Sequence, residues 1–384
     1  MAISSFQKSS DYIRLDSIQT ASGILAAWQS NLSDDPNWDG FLAGVPKGHF
    51  YQTSMWAQTR ILDGWKAVIN IITLDDTIVG GFQILIRSKS YAGNIGLVLK
   101  GPVVNSDNAS IVNFVINVLK KTARSNRIKA LIVQPPDRDA AALSSLAGAD
   151  FSPNHLEHVV KNNTVVIDLR GTEEEVFKAI KRTKRQNINT AIRNGVLVRE
   201  GSKDDLETFF RFMVETCNRQ QVSPSPSNKK FLDVLWDKFS PSGNVKLFVS
   251  EYAGEDVSCL VVIPLGETAY LWKFGWSGQH AKLFPNLIIY WEIFKWARAN
   301  GLKYADLGAI GKDLADTIWR GEPISDEQAK TYSYFKVSFG GEVVQLNEGL
   351  VYIYNPLIRW VYNTFMPYIN SNPFLKKRLL FKNE

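Results

Sequence analysis

The sequence predicts a mixed α/β (α+β) protein built as two similar units in tandem. Three observations carry this. A chain of 384 residues is long for one compact core and comfortable for two. Its hydrophobic content of 45%, with 12% aromatics, is that of a globular protein. Finally, an order of strand, hairpin, helix and strand that can be read before Gln134 returns, in similar form, between Thr164 and Leu307.

In chain order, Asp11 to about Leu42 reads as polar and helical, ending in the turn-rich Ser33-Asp34-Asp35-Pro36-Asn37. Tyr51 to Trp65 reads as a short aromatic helix. Val68 to Leu74 and Ile78 to Arg87 form a hairpin across Asp75-Asp76, with a bulge expected at Gly80-Gly81. A strand from Leu97 to Val104 follows, then a helix with an apolar stripe from Ile111 to Arg124, then a strand from Ala130 to Gln134 stopped by Pro135-Pro136. In the second unit Thr164 to Leu169 is a strand, and Thr172 with Glu173, Glu174 and Glu175 caps a helix reaching Ile180. A helix from Asp204 to Gln220 leads to a hairpin of Val245 to Tyr252 and Val257 to Pro264, then to a strand from Thr268 to Trp276. The helix Asn286 to Asn300 stops at Gly301, and Tyr304 to Leu307 returns to the sheet.

Composition narrows the chemistry. Two cysteines, Cys217 and Cys259, are too few for a disulfide framework and suit a reducing compartment, and four histidines without paired spacing give no metal site. The first ten residues lack the apolar core of a signal peptide. No apolar run reaches the roughly 18 residues a spanning helix needs, so a soluble, cytoplasmic chain is expected. The net charge of +6 favours polyanionic company. No Ser/His/Asp arrangement, Gly-x-Ser-x-Gly elbow or Cys-His pair is legible.

Tyr332 to Gly341, a run of aromatic and β-branched residues ending in Gly340-Gly341, reads as a strand. Tyr334, Lys336 and Ser338 would then share one face, and Phe335, Val337 and Phe339 the other. A lone lysine there is either an edge-strand guard against aggregation or a cation aimed at charge developing in a reaction. Tyr334-Phe335-Lys336 with Phe339-Gly340-Gly341 resembles the end motif of the Fem-type (FemABX) peptidoglycan-bridge aminoacyltransferases. Other pieces follow in that family's order. They are Tyr51-Gln52-Thr53-Ser54-Met55-Trp56-Ala57 with Gly64-Trp65, Lys100-Gly101-Pro102-Val103, Val166 to Leu169 with Lys184 to Val196, and Pro285-Asn286 through Gly308. The resemblance spans about Phe50 to Asn355, and rests on the number and order of motifs rather than any one of them.

This resemblance implies two tandem GNAT-like acyltransferase domains. Residues 1–160 plus 345–384 form the acceptor (precursor) domain, with the C-terminal segment returning to it, and 161–344 the aminoacyl donor domain. The long charged helical arm that some members insert in the second domain has no counterpart here. The resemblance further implies that Lys336 stabilises an oxyanion or the tRNA end, with Phe335 shaping the pocket. Arg60, one turn after Trp56, would meet a pyrophosphate, with Tyr51 and Gln52 beside it, and Trp272 and Phe274 would wall the acceptor. A second phosphate-binding arginine is missing, and Lys229 or Lys230 stands nearest its place. Asp306, an acid between apolar residues at a strand end, either orients a neighbour or acts as a base; burial without hydrogen bonds would be costly, which favours orientation.

The densest charge feature is Lys178, Lys181, Arg182, Lys184, Arg185, Arg193 and Arg199, with no acid between Val176 and Arg199. On a helix-turn-helix many of these share a face, giving a phosphate-contacting surface suited to tRNA or an acidic membrane, or else a solvated or internally paired face. The Arg/Gln-x-x-Gly-x-Gly/Ala loop that cradles the pyrophosphate of acetyl-CoA is not found. The tail from Tyr352 to Lys382 mixes aromatic and basic residues; a helix over Leu357 to Tyr368 is expected to cover the first domain, leaving Leu375 to Lys382 for anionic lipid. The expected activity is therefore tRNA-dependent aminoacyl transfer to a lipid- or nucleotide-linked muropeptide or a related amine, with aminoacyl-tRNA as co-substrate and no cofactor or metal. The alternative is an acyl-CoA-dependent N-acyltransferase acting on polysaccharide or lipid-linked glycan.

Overall fold

The structure, a computed structural model, describes residue 6 and residues 9–89, 93–155 and 160–371. The chain divides into two compact units, Met1–Lys161 with Leu346–Glu384, and Asn162–Gln345.

The first unit begins with strands β1 (Tyr12–Thr20) and β2 (Gly23–Ser30), where a helix was expected. The alternation that marks a strand is broken by a bulge between Arg14 and Asp16, which hid it. Helix α1 (Pro36–Gly44) and helix α2 (Ser54–Ile61) follow, the latter preceded by a turn of 3₁₀ helix over Phe50–Gln52. Strands β3 (Lys66–Leu74) and β4 (Thr77–Lys89) make the expected hairpin, with Val79 as the extra residue of a bulge beside Gly80. The expected strand at Leu97–Val104 is two strands, β5 (Gly93–Leu99) and β6 (Val103–Val104), separated by a Gly101–Pro102 corner. Helix α3 (Ala109–Ser125) is capped by Asn108 and lays Val112, Val115, Leu119 and Ala123 on the sheet. Strand β7 (Ile128–Gln134), helix α4 (Ala140–Gly148) and the short β8 (Ser152–Pro153) complete this stretch.

The second unit opens with β9 (Asn163–Asp168), α5 (Glu173–Ala179) and α6 (Arg182–Arg193). Thr172 and Glu175 close a reciprocal capping box on α5, as the acids after Thr172 foretold. Then come β10 (Leu197–Glu200), α7 (Leu206–Arg219), α8 (Lys229–Phe239), the antiparallel β11 (Lys246–Tyr252), β12 (Glu255–Leu265) and β13 (Thr268–Trp276), α9 (Pro285–Ala299) and β14 (Tyr304–Asp306). The unit ends with α10 (Lys312–Trp319), α11 (Asp326–Ala329), α12 (Tyr332–Val337) and β15 (Glu342–Gln345). The chain then rejoins the first unit as β16 (Leu350–Ile353) and α13 (Pro356–Ser371).

The two sheets repeat one plan. In the first, the path runs β1-β2-β3-β4-β5-β7-β16-β8, with β6 paired to β4; in the second it runs β10-β11-β12-β13-β14-β9-β15. Each has antiparallel strands leading to a single parallel step, β5 to β7 or β13 to β14, and parallel neighbours require a crossover, supplied by α3 and α9 respectively. The strand beyond the step, β16 or β9, is antiparallel again. In the first sheet that strand is the returning chain, and in the second it is the opening one. Each sheet packs its own apolar cluster, around Phe82, Val98 and Leu131 in one and around Ile289, Ile293 and Phe294 in the other.

Candidate functional site

The expected strand from Tyr332 to Gly341 is instead the helix α12, ending at Val337, followed by a turn; it is begun by Thr331, whose hydroxyl accepts from the Tyr334 amide. The strand reading assigned Phe335, Val337 and Phe339 to one face. Helical spacing instead aligns Tyr332, Phe335 and Phe339, and these three pack as one aromatic stack with Tyr290 of α9 and Phe274 of β13. The β propensity of the residues was overridden by this packing. The Tyr332 ring is half exposed while its hydroxyl lies 2.8 Å from that of Tyr290; burial raises the pKa of both phenols.

Helical geometry also puts Lys336 one turn after Tyr332. Its ammonium lies 5.2 Å from the Tyr332 ring centre and donates to the Ala309 carbonyl at 2.9 Å. Below it runs the turn after β14. There the Asp306 carboxylate accepts from the Gly308 amide at 2.7 Å and from the Thr164 hydroxyl. Gly308 has φ of +75°, a conformation favouring glycine, and a Cβ there would sit 3.5 Å from the lysine nitrogen. Asp306 thus ties strand β9 to the loop against which Lys336 rests.

Beside this helix lies a cavity of about 400 Å³. Phe274, Trp276, Tyr332 and Phe335 wall it, and Lys184, Arg219 and Lys330 line it, with no carboxylate among the described lining residues. Lys184 projects from α6 with its nitrogen 5.4 Å from the Phe335 ring centre, and burial lowers its pKa, aided by Lys181 and opposed by Tyr334. Arg219, from the end of α7, stacks 5.0 Å over Trp276 and donates to that residue's carbonyl. The buried amide oxygen of Asn286, at the start of α9, has no hydrogen-bond partner. Aromatic walls with a cationic rim suit a planar anionic group such as a nucleotide. Lys336 adjoins the cavity through Tyr332 without lining it.

Other second-unit expectations fare unevenly. Trp272 sits at a bulge in β13 and stacks on Phe231 of α8 at 6.1 Å, away from the cavity that Phe274 lines. Lys229 is tied to Asp233 at 2.8 Å and lies 3.8 Å from Glu207, while Lys230 is exposed at the start of α8. Neither lines the cavity. Arg199 is held by Asp205, Glu251 and Asp256 and is a structural ion pair rather than part of a basic surface. Lys178 pairs with Glu174 at 2.7 Å, and Lys181 donates to the Tyr334 hydroxyl. Arg182, Arg185 and Arg193 share the outer stripe of α6, from which Lys184 is turned inward. Periodicity could have separated Lys184 from its neighbours. Arg219, Trp276 and Tyr332 carry no local signal.

In the first unit, α2 carries Trp56 and Arg60. Arg60 lies 2.9 Å from Asp63 and 5.8 Å from the ring centres of both Trp56 and Trp65; Arg87 of β4 also lies over Trp65, at 5.7 Å. Burial lowers the Arg60 pKa, opposed by Asp63 and Tyr51 and reinforced by Arg87. The buried Trp65 indole nitrogen has no hydrogen-bond partner. Tyr51 packs against Trp56 at 5.1 Å. Gln52 is 1% exposed: its amide donates to the Leu99 carbonyl at 2.8 Å, and its oxygen accepts from the Gln83 amide at 2.7 Å. It locks the 3₁₀ turn before α2 to strands β4 and β5. The start of α2 is held by Asp39, whose carboxylate accepts from the Ser54 amide at 2.7 Å and hydroxyl at 2.6 Å.

Comparison with known proteins matches this division. Residues 34–147 match the FemAB family, and residues 178–316 match the acetyltransferase (GNAT) domain. The first unit thus carries the FemAB match and the second the GNAT match. A lipid II:glycine glycyltransferase of Staphylococcus saprophyticus subsp. saprophyticus is 22% identical over 229 residues, covering 57% of this chain and 54% of that protein. The chain spans about half the length of the curated relatives it matches. A crystal structure of FemX aligns over 88% of this chain and 99% of its own, with a TM-score of 0.76 at 16% identity. A tandem GNAT protein from the clavulanic acid biosynthesis pathway aligns over 86% and 99%, with a TM-score of 0.51 at 8% identity. Together with the GNAT match, these two solved structures show a tandem GNAT-like fold.

Proposed function

We infer that this chain is a Fem-type aminoacyltransferase that extends a peptidoglycan precursor by an amide bond, taking the aminoacyl group from a tRNA. The observation that carries the reading is the pairing, in one chain, of a FemAB first unit with a GNAT second unit in which a cation-rimmed aromatic cavity lies against the Tyr332-to-Lys336 helix. The related lipid II:glycine glycyltransferase supports a lipid-linked muropeptide as acceptor, which would place the protein at the inner face of the plasma membrane.

In the reaction, the acceptor's neutral amine attacks the ester carbonyl of the donor. The C–N bond forms, the C–O bond to the ribose breaks, and the proton lost by nitrogen ends on the departing hydroxyl. Such an aminolysis needs positioning and a donor for the oxyanion more than it needs a strong base. Lys336 is the oxyanion donor in this scheme, with Asp306 fixing the loop beneath it and Phe335 and Phe274 shaping the donor pocket. Lys184, Arg219 and Lys330 would meet the phosphates of the RNA end, and Lys181, Arg182, Arg185 and Arg193 more of its backbone. Arg60 and Arg87, both packed on Trp65, would meet the precursor's pyrophosphate, since a guanidinium binds phosphate in bidentate fashion.

An acyl-CoA donor is favoured by the GNAT match alone. Against it, the approach to α9, Ser277 to Phe284, contains one glycine and does not carry the Arg/Gln-x-x-Gly-x-Gly/Ala pattern of a pyrophosphate loop. Offering labelled aminoacyl-tRNA and acetyl-CoA in parallel, with lipid-linked muropeptide, decides the matter by mass spectrometry of the acceptor. Label from the tRNA alone is expected; label from acetyl-CoA alone would overturn the assignment.

A further inference from the structure

Helix α13 has its amphipathicity reversed. Arg359, Tyr362, Met366 and Ile369, at helical spacing, form the half-buried side. Tyr362 packs on Ile132, Val351 and Ile353, its hydroxyl accepts from the His155 amide at 2.9 Å, and Arg359 lies 5.0 Å from the Tyr352 ring centre. The one charged side chain of the helix is thus on the protein side.

The outward side is mostly apolar, with Thr364 the polar residue within it. Leu357, Val361, Phe365 and Tyr368 recur one turn apart, flanked by Ile358 and Trp360, and they are 42–68% exposed. The expectation that this segment covers the first domain is therefore wrong for most of its hydrophobic residues. A contiguous apolar stripe on a surface helix is costly in water and marks a binding face. At about 24 Å for 16 residues the helix is too short to cross a bilayer, and no described helix is long and apolar enough to do so.

We propose that the outer face of α13 seats the protein on an anionic membrane surface, lying in the plane of the headgroups. Three features select this occupant over a protein. The stripe has no charged residue, whereas protein interfaces carry a polar rim. Trp360 and Tyr368 are the residue types that favour the boundary between headgroup and chain. Directly after the helix, the sequence supplies Lys376, Lys377, Arg378 and Lys382 against one acid, Glu384. Leu375 to Lys382, the segment first expected to touch lipid, lies outside the described residues. The proposal stands on the helix and not on the reaction, although a lipid-carried acceptor gives it a use.

Flotation with vesicles of phosphatidylcholine containing about one-third phosphatidylglycerol tests it. The intact protein is expected to float, less so with phosphatidylcholine alone. The triple variant Leu357→Ser, Val361→Ser, Phe365→Ser is expected to bind roughly tenfold or more weakly while melting at the same temperature, because these side chains are exposed. Brominated phospholipid should quench the tryptophan fluorescence of the native protein, and less so in Trp360→Phe; this decides the matter should the triple variant misfold. Equal flotation of variant and wild type would overturn the proposal. So would a vesicle-blind dimer that the variant dissociates, or flotation that appears only after residues 372–384 are removed, which would mean a second copy or the chain's own tail occupies the face. None of these readouts requires turnover.

Discussion

Replacing Asp39 by asparagine should stabilise the protein at neutral pH and leave it unchanged in acid. Burial raises the Asp39 carboxyl from its ordinary 3.8 to about 6, against the Ser54 hydrogen bonds that lower it, with Asp35 adding to the rise. A group that holds its proton more tightly when folded makes stability fall as pH climbs from its unfolded to its folded value. Here that window runs from about 4 to about 6, and two units correspond to roughly 3 kcal/mol at most. Below pH 4 the carboxyl is neutral in both states, so Asp39→Asn and wild type should unfold alike. At pH 7 the asparagine avoids burying a charge, keeps an acceptor for the Ser54 amide, and should be more stable by about 1–3 kcal/mol. Urea titrations at closely spaced pH values measure the difference profile, which cancels titrations common to both proteins. Parallel profiles from pH 4 to 7 would refute the reasoning. Because Asp39 holds the first residue of α2, the same substitution also reports on the helix carrying Trp56 and Arg60.

Lys336→Met should lower kcat by roughly 100- to 1,000-fold, the loss typical of a removed oxyanion donor, while the fold loses only about 1 kcal/mol for the hydrogen bond to Ala309; activity within threefold of wild type would remove Lys336 from the mechanism. Arg60→Ala should raise KM for a pyrophosphate-bearing acceptor about tenfold or more with kcat less affected, and equal KM values would argue against phosphate contact. Gly81→Ala should destabilise by about 1–3 kcal/mol in a chemical denaturation series, because its Cβ would lie 2.4 Å from the Asn70 carbonyl and 2.7 Å from the buried Trp38 ring.

Much of the candidate site was legible as residue type and little of it as geometry. Lys336 and Asp306 were picked out as charges in apolar runs and Phe335 through the resemblance; the structure brings the first two to one loop and sets Phe335 on the cavity wall. Gln52 was chosen for its neighbours in a motif, yet a buried amide joining two strands to a helix leaves the same trace in sequence as one that touches a ligand. Trp272 and Phe274 look equivalent at alternate strand positions, but the bulge at Trp272 breaks the alternation and only Phe274 reaches the cavity. Lys184 and Arg199 read as members of one basic run; one turns into the cavity, the other into three carboxylates.

What the sequence determined by itself was everything that rests on local periodicity and capping: the hairpins, α3, α9, the boxed start of α5, and the repetition of one order of elements in both halves. Tertiary structure decided the rest. A β-prone stretch became the helix α12 because Tyr290, Phe274 and Phe294 offered an aromatic wall that only a helical stripe could meet. A strand pair formed at the start of the chain because β3 stood ready to pair with β2. The outward face of α13 was left uncovered because its polar and half-apolar side, not its most hydrophobic one, fits the sheet beneath. In each case the deciding contacts come from residues far apart along the chain, whose meeting no local pattern records.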